Sequence, residues 1–228
     1  MSAPGLLTGV TLAFDLDGTL VDTAPDLIGV LNQMLEEHGL PPVPLASARH
    51  LVGGGARRML QHGFEEAGAT VHPDEMPALD DRFVELYRAR IARESRPFDG
   101  LEPALDALKA EGARFVVCTN KKTDLSLDLL AAVGLIDRFD AVAGPDVVSR
   151  RKPDPAHLIE AIRLGGGDPT RALMVGDSAT DLLSARGARI PVVLVSFGYT
   201  ETPVEALGAD ALIHRFHDLP AAARRLLR

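Results

Sequence analysis

A chain of 228 residues that is 46% hydrophobic and 25% charged has the composition of a folded globular protein, not of a disordered or low-complexity one. Its 24 Lys and Arg against 32 Asp and Glu leave a formal charge of −8, which argues against a broad nucleic-acid surface and obliges any anionic ligand to find a local cationic site. No apolar run approaches the ~18 residues of a membrane helix, residues 1–9 lack the basic start and apolar core of a leader, and the single cysteine, Cys118, allows no intrachain disulfide, so the expected compartment is the cytoplasm.

The run Val10 to Leu16 ends at a carboxylate and a glycine and reads as a buried strand. Leu27, Val30, Leu31, Met34 and Leu35 then recur at helical spacing, with Thr23 and Asp26 as a capping-box-like start and Gly39 as the stop. Pro41, Pro42 and Pro44 mark a loop, and helical patterns return near Ala56 to Ala67 and Asp74 to Arg93. Ser95 to Gly100, with Pro97, reads as a return linker. Beyond it, short apolar runs at Arg114–Cys118, Ala141–Ala143, Ala172–Val175 and Pro191–Val195 alternate with helical stretches at Glu102–Glu111, Asp124–Val133, from Pro155 behind an Asp154 N-cap, and Ala179–Arg186. Residues 220–228 read as a short amphipathic helix. Alternating strands and helices predict an α/β fold, a Rossmann-like three-layer core with a parallel sheet over residues 1–20 and 96–228. A helical insertion over residues 21–95 interrupts it after the first strand.

Four clusters follow predicted strands, at the edge where open α/β sheets bind ligands. In Asp15-Leu16-Asp17-Gly18-Thr19 the two acids are two residues apart and face the same side, and Gly18 permits a sharp turn. Thr119-Asn120 offers a hydroxyl and an amide to phosphate oxygens, and a helix cap would explain the same pair. Lys152-Pro153-Asp154-Pro155 stiffens a loop around a point charge suited to a phosphoryl group. Asp177 ends a strand, and Asp181 lies one helical turn later, so it can face the same place; helix-start acids would also read this way. Taken singly, each cluster has an ordinary structural explanation. Together they place several carboxylates at one rim, where two acids ~6 Å apart repel by roughly 2 to 3 kcal/mol at an effective dielectric of about 20. A hard divalent cation relieves this, and magnesium suits few carboxylates plus phosphate oxygens.

These clusters, in this order, resemble the haloacid dehalogenase superfamily over nearly the whole chain, the insertion resembling its helical cap domain. Phe14-Asp-Leu-Asp-Gly-Thr-Leu-Val-Asp22, Cys118-Thr-Asn-Lys121, Lys152-Pro-Asp-Pro155, Gly176-Asp-Ser178 and the loop Val52-Gly-Gly-Gly55 are similar to the phosphoglycolate phosphatases of that superfamily. The resemblance implies a phosphatase acting through a phospho-aspartate on a small anionic phosphomonoester, 2-phosphoglycolate foremost, with Mg2+ as cofactor. Asp15 is implied as nucleophile and Asp17 as general acid/base. Thr119, Asn120 and Lys152 are implied to hold phosphate. Asp15, the backbone carbonyl of Asp17, and Asp177 are implied to hold the metal, with Asp181 behind them. Asp at position 17 argues against the dehalogenase branch, because a leaving alkoxide needs a proton. A substrate carboxylate needs a donor from the cap, for which Gly53, Gly55, Arg57 and Arg58 are candidates, and a solvated helix face is the plainer reading of both arginines.

The histidines at 38, 50, 62, 72, 157, 214 and 217 show no ligand spacing. His38 reads as a helix-dipole partner and His50 as a residue that could reach the site from the cap. Cys118 reads as core, and Lys121 and Lys122 as solvated helix-start side chains, with a role in tuning the field of the site as the alternative. Other readings are a phosphatase for a sugar phosphate, a phosphosugar mutase of the same superfamily, and a non-enzymatic aspartyl-phosphate signalling domain. No membrane or nucleic-acid partner is expected, and the sequence leaves monomer and dimer equally open.

Overall fold

In a computed structural model, residues 5–200 and 202–227 are described. The start of the segment read as lacking a leader (residues 1–4) and the last residue of the C-terminal helical reading (Arg228) lie outside them. The strands are β1 (Thr11–Phe14), β2 (Val21–Asp22), β3 (Arg96–Pro97), β4 (Arg114–Cys118), β5 (Ala141–Ala143), β6 (Ala172–Gly176), β7 (Val192–Val195) and β8 (Ala211–Ile213). The helices are α1 (Ala24–Glu37), α2 (Leu45–Ala48), α3 (Ala56–Glu66), α4 (Met76–Arg88), α5 (Leu101–Ala110), α6 (Thr123–Ala132), α7 (Pro155–Leu164), α8 (Ala179–Ala188) and α9 (Leu219–Leu226). No helix among the described residues is long and apolar enough to cross a membrane.

Six strands form one parallel sheet in the order β5-β4-β1-β6-β7-β8. Its strands are apolar on both faces, as a sheet covered by two helical layers requires. The two-residue period sorts the side chains. Leu12, Phe14, Phe115, Val117, Leu173, Val175, Val193 and Val195 join Leu105 and Leu108 of α5, Leu129 and Leu130 of α6 and Leu219 of α9 in one cluster. Ala13, Val116, Cys118, Met174, Val192 and Leu194 join Leu158 and Ile162 of α7 and Leu182 and Ala185 of α8 in another. Strand β8 is an addition to the sequence reading. Three residues between Asp210 and His214 are too short to show a period, and the pairing with β7 supplies what the local pattern lacks.

Between β2 and β3, helices α1, α3 and α4 gather their own apolar cluster, with Leu31, Met34, Met59, Leu60, Phe64, Phe83 and Tyr87 inside it. Its two connections to the sheet run antiparallel, pairing Val21 with Pro97 and Asp22 with Arg96. These two-residue strands were not expected from the sequence, which offers no period over so short a run.

The start of α1 corrects the capping-box reading. Thr23 makes no cap to its own helix, and its hydroxyl donates to Asp17 Oδ1 at 2.7 Å. Asp26, fully buried, accepts from the Ser95 N–H (2.8 Å), the Ser95 hydroxyl (2.7 Å) and the Glu94 N–H (2.9 Å), with Arg90 Nε at 3.2 Å. Burial alone would raise the Asp26 pKa, and these bonds outweigh it and hold the carboxyl below its ordinary range. Long-range donors therefore win over local capping and staple the returning chain to the outgoing helix. Asp26→Ala leaves those donors without an acceptor and is expected to cost about 3 kcal/mol in urea denaturation. A loss below about 1 kcal/mol would show that the staple is dispensable.

Candidate active site

Strands β4, β1 and β6 lie side by side and in parallel, so Thr119, Asp15 and Asp177 emerge at one rim. The Asp15 N–H extends the ladder to Val175 O at 2.9 Å, and Asp15 Oδ1 accepts from the Leu16 N–H at 2.8 Å. Lys152 reaches the rim from the loop between β5 and α7. Its Nζ lies 2.9 Å from Asp15 Oδ1 and 2.7 Å from Asp181 Oδ1. The other Asp181 oxygen accepts from the N–H groups of Asp177 (3.2 Å) and Ser178 (3.1 Å) and from the Ser178 hydroxyl (2.8 Å). Both Asp181 oxygens are thus occupied by the protein, fixing Lys152 and the first turn of α8. Asp177 Oδ2 accepts from the Tyr199 N–H at 2.6 Å. Gly18, at φ +80°, is confined to glycine twice over, since a Cβ there would sit 2.3 Å from Asp177 Oδ2.

Asp17 points elsewhere. Its Oδ1 meets Lys121 Nζ at 2.8 Å and the Thr23 hydroxyl at 2.7 Å. Lys121 in turn donates to the Tyr87 hydroxyl of α4 at 3.0 Å and lies over that ring at 4.5 Å. The reading of Lys121 as a solvated side chain is therefore corrected: its side chain is only 6% exposed, because the cap helix α4 covers it. Burial opposes its charge, and Asp17 and Tyr87 outweigh that opposition, so the ammonium is held above the usual lysine range. Burial pushes the Tyr87 phenol up to about 12. Thr119 is anchored by its N–H to Ala143 O (3.1 Å), and Asn120 Nδ2 donates to Lys152 O (3.3 Å).

The charges do not close. Four carboxylates, Asp15, Asp17, Asp177 and Asp181, face two ammonium groups. Burial, partly offset by Lys152, raises the Asp15 carboxyl to about 7. Burial, then Asp181 and Asp15, raise Asp177 well above the carboxylate range. These raised carboxyls mark the charge deficit that a divalent cation would fill. Oxygens of Asp15, Asp177 and Asp181 lie within 4.8 Å of one another, so the donor set suits such a cation. With Asp181 occupied, Asp15 and Asp177 are the pair with an oxygen to spare for it.

A cavity of about 360 Å³ opens from Asp15 and Asp17 toward the cap. Thr119, Asn120, Gly53, Gly55 and Arg57 line it, and Leu51, Val52, Met59, Phe83, Val84 and Leu125 form its apolar walls. Gly55 takes φ +89° as it leads into α3. Arg57 Nε lies 3.4 Å from Asp80 Oδ2 in the same cavity. Arg58 is separated from it: neighbours on a helix diverge by about 100°, and Arg58 lines a second cleft of about 90 Å³ with His50, Ser178 and Thr200. His50 likewise stays out of the Asp15 cavity. His38 bonds Met34 O at 2.7 Å, as a helix-end partner does. Sequence reasoning missed Thr23, Tyr87 and His157 as neighbours of the site and gave Tyr199 no role there. Their signals are single residues without a motif, and only the fold brings them in.

The chain matches the family model of the haloacid dehalogenase-like hydrolases over residues 12–195. It is 55% identical to a phosphoglycolate phosphatase of Caulobacter vibrioides, covering 97% of this chain and 93% of that one. It is 36% identical to an N-acetylmuramic acid 6-phosphate phosphatase of Pseudomonas aeruginosa, covering 90% and 91%. A crystal structure described as a predicted phosphoglycolate phosphatase from Haemophilus somnus superposes with a TM-score of 0.85 at 29% identity, covering 94% of this chain and 97% of that one.

The raised Asp15 pKa has a definite sign. With a folded value of about 7 against 3.8 for a free carboxyl, its contribution to stability is complete below about pH 4 and is lost as pH rises through about 7. A bound divalent cation removes that loss. The Tm gain on adding the cation should therefore grow from pH 5 to pH 8, reaching about 5 to 10 °C at roughly 100 times its Kd. The pH dependence of His157, held neutral down to about 4 by burial, is common to both samples and cancels. A gain that is flat or shrinks with pH, read by differential scanning fluorimetry, would remove these acids as the cation's ligands.

Proposed function

The chain belongs to the haloacid dehalogenase-like hydrolases, as a phosphoric monoester hydrolase of the phosphoglycolate phosphatase type, and from that premise we propose that it hydrolyses 2-phosphoglycolate to glycolate and phosphate, with Mg2+ as cofactor, in the cytoplasm. One observation carries the reading. A buried Asp15 is gripped by Lys152 beside Asp177, at a rim that lacks positive charge and opens on a cavity.

Asp15 acts as nucleophile, its carboxylate fixed at Oδ1 by Lys152 and the Leu16 N–H. As its oxygen bonds to phosphorus in line, the ester P–O bond breaks, and Asp17 hands a proton to the departing alkoxide. Oδ2 is the Asp17 oxygen that passes this proton, because Oδ1 is engaged by Lys121 and Thr23. Asp17, now a carboxylate, takes a proton from water as that water attacks phosphorus, and the Asp15–phosphorus bond breaks to release phosphate. Lys152, with the Thr119 hydroxyl and Asn120, holds the transferring group and counters its charge. Mg2+ held by Asp15 and Asp177, with the Asp17 main-chain carbonyl, supplies further charge neutralisation when bound. Residues 21–95 serve as a cap that excludes water from the cavity. Arg57, which lines this cavity from the cap side while Arg151 lines it too, reads the substrate carboxylate in exchange for its long contact with Asp80.

A second reading, a larger phosphorylated sugar acid, is favoured by the cavity's size and by the similarity to the Pseudomonas aeruginosa enzyme. A panel of phosphomonoesters of both sizes, assayed for phosphate release with and without Mg2+, decides between them. Turnover of 2-phosphoglycolate should lead the panel, and a higher kcat/KM for the large sugar acid would replace the first reading by the second. Asp15→Asn should abolish turnover; substantial activity in that variant would remove the covalent role. Arg57→Ala should lower kcat/KM about 10- to 100-fold for 2-phosphoglycolate and leave para-nitrophenyl phosphate nearly untouched. Equal losses on both would exclude Arg57 as the carboxylate reader.

A further inference from the structure

We propose that His157 is a positioning residue for Lys152, fixing that lysine's backbone in the register that brings its ammonium onto Asp15. The inference rests on the reading of Lys152 as the group that holds the transferring phosphoryl.

His157 lies in the first turn of α7 and has no exposed surface. Its Nδ1 lies 3.0 Å from the Lys152 N–H and its Nε2 lies 3.0 Å from Ala143 O. A peptide N–H only donates and a carbonyl only accepts, so the ring is neutral with its proton on Nε2. The same Ala143 carbonyl accepts the Thr119 N–H at 3.1 Å. One carbonyl at the end of β5 therefore sets the position of Thr119 directly and of Lys152 through the imidazole. The other peptide group of Lys152 is held as well, since Lys152 O accepts from Asn120 Nδ2 at 3.3 Å.

The arrangement answers a mechanical problem. Residues 144–154, which carry Lys152, form no helix or strand, and a lysine side chain has several rotatable bonds. Misplacing the ammonium by about 1 Å can cost about 100-fold in rate. Clamping both peptide groups of Lys152 to elements that also carry the other phosphate-binding residues removes that freedom. An apolar side chain at 157 could fill the same volume, but it would leave the buried Lys152 N–H without an acceptor. The groups whose charges act on the ring are Lys152, Glu160 and Asp181. Burial first, and then the Lys152 charge, keep the ring neutral and its acceptor available against the opposing pull of Glu160 and Asp181.

Three substitutions separate positioning from packing. In H157N the amide oxygen falls near Nδ1 and keeps the acceptor for Lys152. In H157Q the amide nitrogen reaches toward Nε2 and keeps only the bond to Ala143. H157L keeps neither. Two readouts are taken on each protein: steady-state kinetics on 2-phosphoglycolate and para-nitrophenyl phosphate, and hydrogen exchange of the Lys152 amide. H157N should hold kcat within about 5-fold of the unmodified enzyme and keep the amide protected. H157Q and H157L should lose about 100-fold in kcat on both substrates, with smaller changes in KM, and exchange that amide rapidly. The proposal is overturned if H157Q matches H157N in kcat or in exchange. It is equally overturned if H157N is as slow as H157L or does not fold, for then the ring is needed whole as packing. If the unmodified enzyme cleaves no phosphomonoester, the functional reading fails by itself, and the exchange ranking still decides whether His157 orders Lys152.

Discussion

The site depends on one buried ammonium. Lys152 Nζ stands between Asp15 and Asp181, at 2.9 and 2.7 Å, with its side chain 1% exposed. Burial works against its charge, and the two carboxylates outweigh that cost, so the group stays protonated far beyond neutral pH. Three pieces of chain are joined there: the end of β1, the loop before α7 and the first turn of α8. No one of them could keep its charge in this place without the others, because an unpaired buried ion costs more than any single contact returns. The remaining imbalance, concentrated on Asp15 and Asp177, is what makes the rim receptive to a divalent cation.

A second set of contacts ties that rim to the helical insertion. The Tyr199 N–H bonds Asp177, while its hydroxyl donates to Asp22 and accepts from the Ala24 N–H at 3.1 Å. Arg49, from the insertion, pairs with the same Asp22 at 2.8 Å and lies 5.4 Å from the centre of the Tyr199 ring. On the far side, Tyr87 of α4 reaches Lys121 and through it Asp17. Asp177 and Asp17 are therefore both bonded to residues 21–95, Asp177 through Tyr199 and Asp17 both through Lys121 and directly by the Thr23 hydroxyl. A movement of the cap would be felt by both, through polar contacts whose geometry tolerates little change.

Much of this was legible before any coordinates. The strand β4 and the helix behind the Asp154 N-cap appear where the residue pattern puts them, because an apolar run flanked by turn residues and a capped helix start are both local signals. The acids at 15, 177 and 181 and the lysine at 152 gather at one rim because parallel strands must end together. What escaped was decided by partners distant in sequence. Asp26 looked like part of a cap three residues from Thr23, yet its partners lie at positions 90, 94 and 95. Lys121 looked like an exposed helix-start lysine, and a tyrosine 34 residues earlier buries it. His157 carries no ligand spacing because its partners are two backbone groups, which no side-chain motif records.

The same division separates the transfer chemistry from the choice of leaving group. The end proposed to take the phosphoryl group is built from acids and lysines that follow the strand ends, so it can be read from spacing. The other end is walled by Leu51, Val52, Met59, Phe83, Val84 and Leu125, of which Leu51, Val52, Met59, Phe83 and Leu125 are also packed into the insertion's apolar cluster. A residue that must fill a core and also shape a cavity leaves no distinctive mark in sequence, since either duty alone asks for the same side chain. Changes in that wall can alter which phosphomonoester fits while the rim, and the chemistry on it, stays as it is. On the proposed function, the choice of leaving group falls to residues whose first physical task is packing, with Arg57 and Asp80 adding a charged contact among them.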